Sequence, residues 1–314
     1  MLLQLIDKTA YLKKFNDAEL LLRMRLIEVD SMALSDIIKA ADLIEEAKNN
    51  SVDQGHIHIW SDLYDLLSTE EFNAFYHALE HETYASEETI VKQGDPQWRL
   101  CFVNKGRVKL CYNEKENETL VKTLGRGNVF GGTSFFDDSV WTLNAVTMWA
   151  VELSTLSMDR VEEWGEVYPE LEAKLQVYCQ RFDRVNEFFI SSGAERRAMG
   201  RFPFTGTVCF SLLDDKGSST DTSICGDGLD ISIGGFSFVS RISNRKQART
   251  LLGRQVELSL ANDETPGKSI RLTGIVVAVR NLHSVELERS IHIQFDLLLH
   301  KRAYMYRYLY ILGS

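Results

Sequence analysis

Gly228-Leu-Asp-Ile-Ser-Ile-Gly-Gly-Phe-Ser-Phe-Val239 alternates apolar and polar residues on either side of a glycine pair. Asp230 and Ser232 are two residues apart, so a strand presents them on one face. Gly234 and Gly235 permit a sharp turn or the close approach of another backbone. The stretch therefore reads as strand, turn, strand. Similar runs lie on both sides of it: Thr207–Leu213, Gln255–Leu260, Ile270–Val279 and Ile291–Phe295. Six such strands within about 90 residues predict a small antiparallel barrel. The polar stretch Asp214–Asp227 is expected to be a loop, and Tyr304–Leu312 a closing helix.

Just before the first of these strands stands Glu195-Arg-Arg-Ala-Met-Gly-Arg-Phe202, with RxxxR at Arg197 and Arg201 and a further arginine at 196. A guanidinium grips phosphate oxygens through two parallel N–H groups and can stack on a base. An ionised aspartate only accepts, so Asp230 suits the N–H donors of a guanine edge. Each motif alone is weak. A solvated basic linker accounts for RxxxR, and a turn for DxSxxG. In this order, each against a barrel strand, they resemble the PilZ family, whose signatures are RxxxR and (D/N)xSxxG. The resemblance covers roughly residues 194–312. It implies a barrel that binds cyclic di-GMP through Arg196, Arg197, Arg201, Asp230, Ser232, Gly234 and Gly235. Arg196 matches the extra arginine that some members carry, which favours a stacked ligand dimer.

The middle of the chain also reads as short strands: Thr89–Val91, Leu100–Val103, Arg107–Tyr112, Thr119–Val121 and Thr147–Leu153. Gly94-Asp-Pro96, Lys105-Gly106 and Gly125-Arg-Gly127 punctuate them. Ser68-Thr-Glu-Glu71 has the spacing of a capping box and opens a short helix ahead of them. Ile90-Val-Lys-Gln-Gly-Asp-Pro96, Leu100–Leu110 and Gly127-Asn-Val-Phe-Gly-Gly132 make residues 60–160 resemble the cyclic-nucleotide-binding β-roll of catabolite-activator-type regulators. That family holds the ribose with a glutamate and the cyclic phosphate with an arginine. Here Gly132 stands where the glutamate belongs, and Thr133–Val146 contains no arginine. Asp137 and Asp138 add negative charge where the phosphate would sit. The resemblance therefore implies a fold without the family's usual way of holding cAMP or cGMP.

Two helical stretches flank this region. Residues 17–48 carry a broad apolar face after an Asn16/Glu19 cap. Leu171, Leu175, Tyr178, Phe182, Val185 and Phe189 make a stripe at heptad spacing. That stripe either packs on its own domain or pairs with a second copy. Its position matches the dimer helix of the regulators that the β-roll resembles, so a parallel homodimer is expected.

Of the 314 residues 44% are hydrophobic and 25% charged, as in ordinary globular chains. The net charge of −10 is uneven: residues 193–314 carry +4 and residues 1–192 carry −14. Direct DNA binding is not expected on that balance. No signal peptide or membrane insertion is read from the sequence, and a cytoplasmic setting is expected. Cys101, Cys111, Cys179, Cys209 and Cys225 form no CxxC pair and read as free thiols. His77 and His81 read as part of a solvated helix face rather than a metal site. No catalytic motif is found, so neither an enzyme nor a cofactor is expected.

The expected architecture is an α+β multidomain chain. Residues 1–55 form an N-terminal helical segment, 56–160 the β-roll, 161–192 a connecting or dimerisation helix, and 193–314 a six-stranded PilZ barrel. The expected function is a cyclic di-GMP receptor that signals to an unidentified protein partner. The alternatives are a cAMP- or cGMP-responsive regulator acting through the β-roll, and an adaptor that needs no nucleotide.

Overall fold

The computed structural model describes Ala18 and residues 34–96, 98–114, 117–165, 167–182, 201–214, 216–261, 269–282 and 288–296. Ahead of the first strand the described helices include α1 (Leu34–Asn50), α2 (Gln54–Ile59), α3 (Ser61–Tyr64) and α4 (Thr69–Ala78). The capping box at Ser68 forms as the sequence predicts. The Ser68 amide donates to the Glu71 carboxylate at 2.8 Å, and the Glu71 amide donates to the Ser68 hydroxyl.

The β-roll follows, in strands β1 (Glu80–Tyr84), β2 (Thr89–Val91), β3 (Arg99–Lys105), β4 (Arg107–Glu114), β5 (Asn117–Gly125), β6 (Val129–Phe130), β7 (Asn144–Thr147) and β8 (Val151–Ser157). The short helix α5 (Gly132–Phe136) lies between β6 and β7. The strands form two four-stranded antiparallel sheets, in the orders β1-β8-β3-β6 and β2-β7-β4-β5. Val103, Val108, Leu110, Leu124 and Leu153 fill the space between them.

Helices α6 (Met158–Trp164) and α7 (Leu171–Gln180) return onto the outer face of the first sheet. This corrects the reading of the heptad stripe. Leu171 and Leu175 are fully buried and Tyr178 nearly so, in one cluster with Trp60, Leu63, Phe75, Phe102 and Phe135. The stripe is apolar because its own domain covers it, so these three residues give no ground for a second copy. Val185 and Phe189 lie outside the described residues, as do the Asn16/Glu19 cap and Tyr304–Leu312. The boundary at 161 likewise falls inside a shared core, since Val161 and Trp164 belong to the same cluster.

The C-terminal strands are β9 (Phe202–Pro203), β10 (Thr207–Leu213), β11 (Ser219–Ser232), β12 (Gly235–Arg241), β13 (Gln255–Ala261), β14 (Ser269–Asn281) and β15 (Glu288–Phe295), with α8 (Arg245–Thr250) after β12. The order β10-β13-β14-β15-β12-β11 closes through β10–β11 pairing into the six-stranded antiparallel barrel, and β9 lies alongside β11. Phe210, Phe236, Phe238, Val256, Leu258, Val276, Ile291 and Ile293 fill it.

Two expectations fail here. Residues 219–227 are strand rather than loop, because β10 pairs along them from Thr207↔Asp227 to Leu213↔Ser219. Their serines, threonines and aspartates show no apolar alternation, so only the ladder reveals the strand. The register also sets Cys209 opposite Cys225, with Cα atoms 4.0 Å apart, and the two form a disulfide instead of staying free. Cys101, Cys111 and Cys179 are buried thiols.

The barrel docks on the β-roll through Asp138, Ser139 and Val140. The Val140 amide donates to the Val277 carbonyl at 3.0 Å, and the Val279 amide donates to the Asp138 carbonyl at 3.0 Å. Val140 thereby joins the barrel core. Asp138, 2% exposed, accepts from Arg249 Nε at 2.8 Å and Arg245 Nε at 2.9 Å, while Arg289 Nη1 stands 3.9 Å away. Arg249 also donates to Glu162 at 2.6 Å, and Arg245 to Glu172 at 2.5 Å. Burial opposes the charge on Arg245, yet Asp138 and Glu172 hold its pKa above the ordinary value. Burial lowers the pKa of Arg289; Asp138 opposes this, while Arg245 and Arg249 add to it.

His81 is on β1 rather than on the helix with His77, because α4 ends at Ala78. Its Nδ1 lies 3.0 Å from the Ser154 hydroxyl. Nearby, His56 is buried with its Nε2 2.8 Å from the Tyr64 hydroxyl. Burial, helped by His81, pushes the His56 pKa down to about 4. The unfolded chain therefore binds a proton that the folded one refuses between pH ~6.5 and ~4. Stability should rise with pH across that window, with roughly 2–4 kcal/mol from this group alone. Urea unfolding at pH 5 and pH 7 should show a smaller difference for His56→Gln than for the wild type.

Candidate functional site

The structure brings part of the predicted constellation together at one edge of the barrel. β9 lies antiparallel to the end of β11, pairing Pro203 with Asp230 and Phe202 with Ile231. The Phe204 amide donates to the Leu229 carbonyl, so the arm is laid down as a short extra strand. This places Arg201 beside Asp230, and Arg201 Nη1 donates to both carboxylate oxygens, at 3.0 and 3.3 Å. The guanidinium is half-exposed and the carboxylate less so. The two groups read as ligand contacts therefore satisfy each other across 29 residues of chain.

Ser232 faces the same side as Asp230, and its hydroxyl donates to the Gly235 carbonyl at 3.3 Å. Gly234 sits in the turn, where its carbonyl accepts from the Phe295 amide at 2.9 Å. Gly235 begins β12 opposite Gln294. A Cβ there would stand 2.5 Å from the Ile293 carbonyl oxygen, so the β12–β15 pairing requires glycine. Arg196 and Arg197 lie outside the described residues.

A concavity lies in the β-roll, lined by Leu110, Leu124, Phe130, Trp141, Cys179 and Phe182, together with Lys122 and the Gly131–Ser134 turn. Its cavity measures about 60 Å³, well short of the roughly 300 Å³ of an ordinary ligand pocket. Gly131 has φ +93°, and a Cβ there would stand 2.6 Å from the Trp141 ring, so the indole lies directly on the turn. Among the described residues neither arginine nor carboxylate lines it, and Lys122 donates to the Phe182 carbonyl at 3.2 Å. The described wall thus agrees with the lack of phosphate and ribose contacts read around Gly132.

One sequence argument about this pocket is corrected. Asp138 does not face the place where a phosphate would sit; it is enclosed by arginines of the barrel. Asp137 likewise lies 3.6 Å from Arg280. The sequence reading missed Arg245, Arg249 and Arg289. A signal for the first two existed. Asn244 caps α8 by accepting from the Gln247 amide at 2.7 Å, and arginines four apart share a helix face.

Residues 81–166 match the family model of the cyclic nucleotide-binding domain. Two curated proteins from Mycobacterium tuberculosis strains, each a CRP-like cAMP-activated global transcriptional regulator, are 30% identical over 100 residues. That alignment covers 31% of this chain and 45% of theirs, so the chain spans less than half the length of the curated relatives it matches. Among solved structures, the N-terminal domain of a transcriptional regulator from Streptomyces coelicolor A3(2) is 26% identical, covering 40% of this chain and 89% of that one, with a TM-score of 0.34. The catabolite activator protein of Thermus thermophilus is 23% identical, covering 42% and 62%, with a TM-score of 0.37. The c-di-GMP responsive global regulator CLP of Xanthomonas campestris is 18% identical, covering 40% and 63%, with a TM-score of 0.36. The middle of the chain is a cyclic nucleotide-binding domain, and a closed six-stranded barrel follows it.

Gly235→Ala should cost about 1–3 kcal/mol, because the methyl group must push β12 away from β15. Chemical denaturation of the purified variant checks this. The arm beside Asp230 should loosen with it, which limited proteolysis near Phe202 reads.

Proposed function

We propose that this chain is a cyclic di-GMP receptor of the PilZ kind, carried behind a cyclic nucleotide-binding domain that no longer takes cAMP or cGMP in the usual way. One observation carries the reading: the arm laid along β11 sets Arg201 against Asp230, with Ser232, Gly234 and Gly235 at the same end. The ligand replaces the internal pair. A phosphate takes the Arg201 guanidinium, joined by Arg196 and Arg197 from the preceding residues, and a guanine edge takes the freed Asp230 carboxylate. The arm moves from an internal contact to a ligand contact, and that displacement is the signal to a protein partner. A cytoplasmic setting belongs to this proposal, without a catalytic step, membrane insertion or direct DNA contact.

The mononucleotide reading rests on the family match over residues 81–166. The small size of the pocket and the lack of an arginine–carboxylate pair among the described residues of its wall count against it.

Isothermal titration of the full chain with cyclic di-GMP, cAMP and cGMP separates the readings. Cyclic di-GMP should bind, and more weakly as salt screens its phosphates from the arginines. Arg201→Ala should weaken binding by about tenfold or more, the loss of one charge-assisted hydrogen bond of roughly 1.5–3 kcal/mol. Wild-type affinity in an Arg197→Ala/Arg201→Ala double variant would exclude this site. A micromolar isotherm with cAMP would return the β-roll to the centre of the function.

A further inference from the structure

We infer that Arg245 and Arg249 of the barrel hold the β-roll pocket narrow, so that widening the pocket and seating the barrel are alternative states of one joint. The inference does not depend on which ligand the barrel takes. It rests first on continuity of the chain. Gly131–Ser134 and Trp141 wall the pocket, and the residues that dock the barrel, Asp138–Val140, immediately precede Trp141. Trp141 is held on Gly131 from two sides: by its own backbone bonds to Gly94 and Asp95 of the β-roll, and by its neighbour Val140, which is hydrogen-bonded to Val277 and buried in the barrel core. So short a segment has no slack to absorb a displacement of Trp141.

The second support is that one guanidinium reaches two sides of the pocket. Arg245 holds Asp138, just beyond α5, and Glu172, in the first turn of α7. Cys179, near the end of α7, and Phe182, just beyond it, line the pocket from that side. Arg249 adds a parallel grip, on Asp138 and on Glu162 of α6.

The third is conformational. Asp138 has φ +45°, a sparsely populated region for a residue with a side chain, although aspartate tolerates it better than most. Such a residue persists where its surroundings over-determine it. Here those surroundings are in part the turn that ends α5, where the Ser139 amide donates to the Ser134 carbonyl at 3.2 Å, and in part the barrel, which adds the two arginine side chains and the Val279 amide. Releasing the barrel removes its share of the restraint on Asp138–Val140, the segment that leads into Trp141. A pocket ligand that needs Trp141 displaced is then disfavoured by the seated barrel, and by linkage its binding loosens the seat by the same factor.

Amide hydrogen exchange on the ligand-free full chain tests the joint. Arg249→Gln should raise exchange across residues 129–143 by about tenfold or more, the loss of one charge-assisted hydrogen bond read as an opening equilibrium. The amides of β4 and of β13 should keep wild-type protection. Lys105→Gln, which removes an exposed pair with Glu152, should leave 129–143 unchanged. Unchanged exchange there in Arg249→Gln would overturn the inference, and so would a uniform rise along the chain, which marks general destabilisation. Should that variant not fold, Arg245→Lys keeps the charge but loses the fork that reaches Asp138 and Glu172 together. It should raise exchange in 129–143 a few-fold, and wild-type exchange there would overturn the inference equally. Because no cyclic dinucleotide is present, the result stands apart from the fate of the proposed barrel ligand.

Discussion

A single buried carboxylate ties the two β-domains together. Asp138 is almost without solvent and lies between guanidiniums that all come from the barrel. Burying charges carries a heavy desolvation cost, recovered only when each is paired and hydrogen-bonded. Removing one partner of such a set typically costs about 3–5 kcal/mol. The ion pairs across this seam share a direction. Their acids, Asp137, Asp138, Glu162 and Glu172, belong to the N-terminal part, and their bases, Arg245, Arg249, Arg280 and Arg289, to the barrel. The uneven charge of the chain, −14 before residue 193 and +4 after it, is thus partly the complementarity of two surfaces that meet.

The same economy of partners marks the barrel edge. Arg201 and Asp230 neutralise one another at the surface, where an ion pair contributes little to stability. The two groups are already aligned and would give up little on changing partner. The hydrogen bond between Ser232 and Gly235 and the close passage of β15 behind Gly235 fix the end of β11 beside them.

RxxxR shows what spacing can and cannot convey. The pattern occurs at Arg197–Arg201 and again at Arg245–Arg249. In the first, Arg201 is half-exposed on an arm beside Asp230. In the second, both residues lie on a capped helix pressed onto the β-roll, and Arg249 is 5% exposed. Nothing in the four-residue spacing distinguishes a ligand contact from a domain joint. Leu171, Leu175 and Tyr178 make the same point for apolar spacing. The stripe reads identically whether a second copy or the chain's own Trp60 and Phe75 cover it. Asp137 and Asp138, read as repelling a phosphate, are neutralised by residues more than a hundred positions away.

Local patterns were enough to reveal the apolar strands of both domains such as β3, β4, β12 and β14, the Ser68 capping box, the glycine-dependent turn at Gly234–Gly235 and the loss of the phosphate-binding pair around Gly132. Each depends on residues a few positions apart, through the period of the backbone or the reach of one side chain. Tertiary structure alone decided the pairing of Cys209 with Cys225, the strand at 219–227, the interior burial of the α7 stripe and the arginine enclosure of Asp138. Those depend on register and docking, where contacts between distant residues outweigh the local preference of any one of them. A sequence displays the donors and acceptors, but their distances are settled only when the barrel closes and seats against the β-roll.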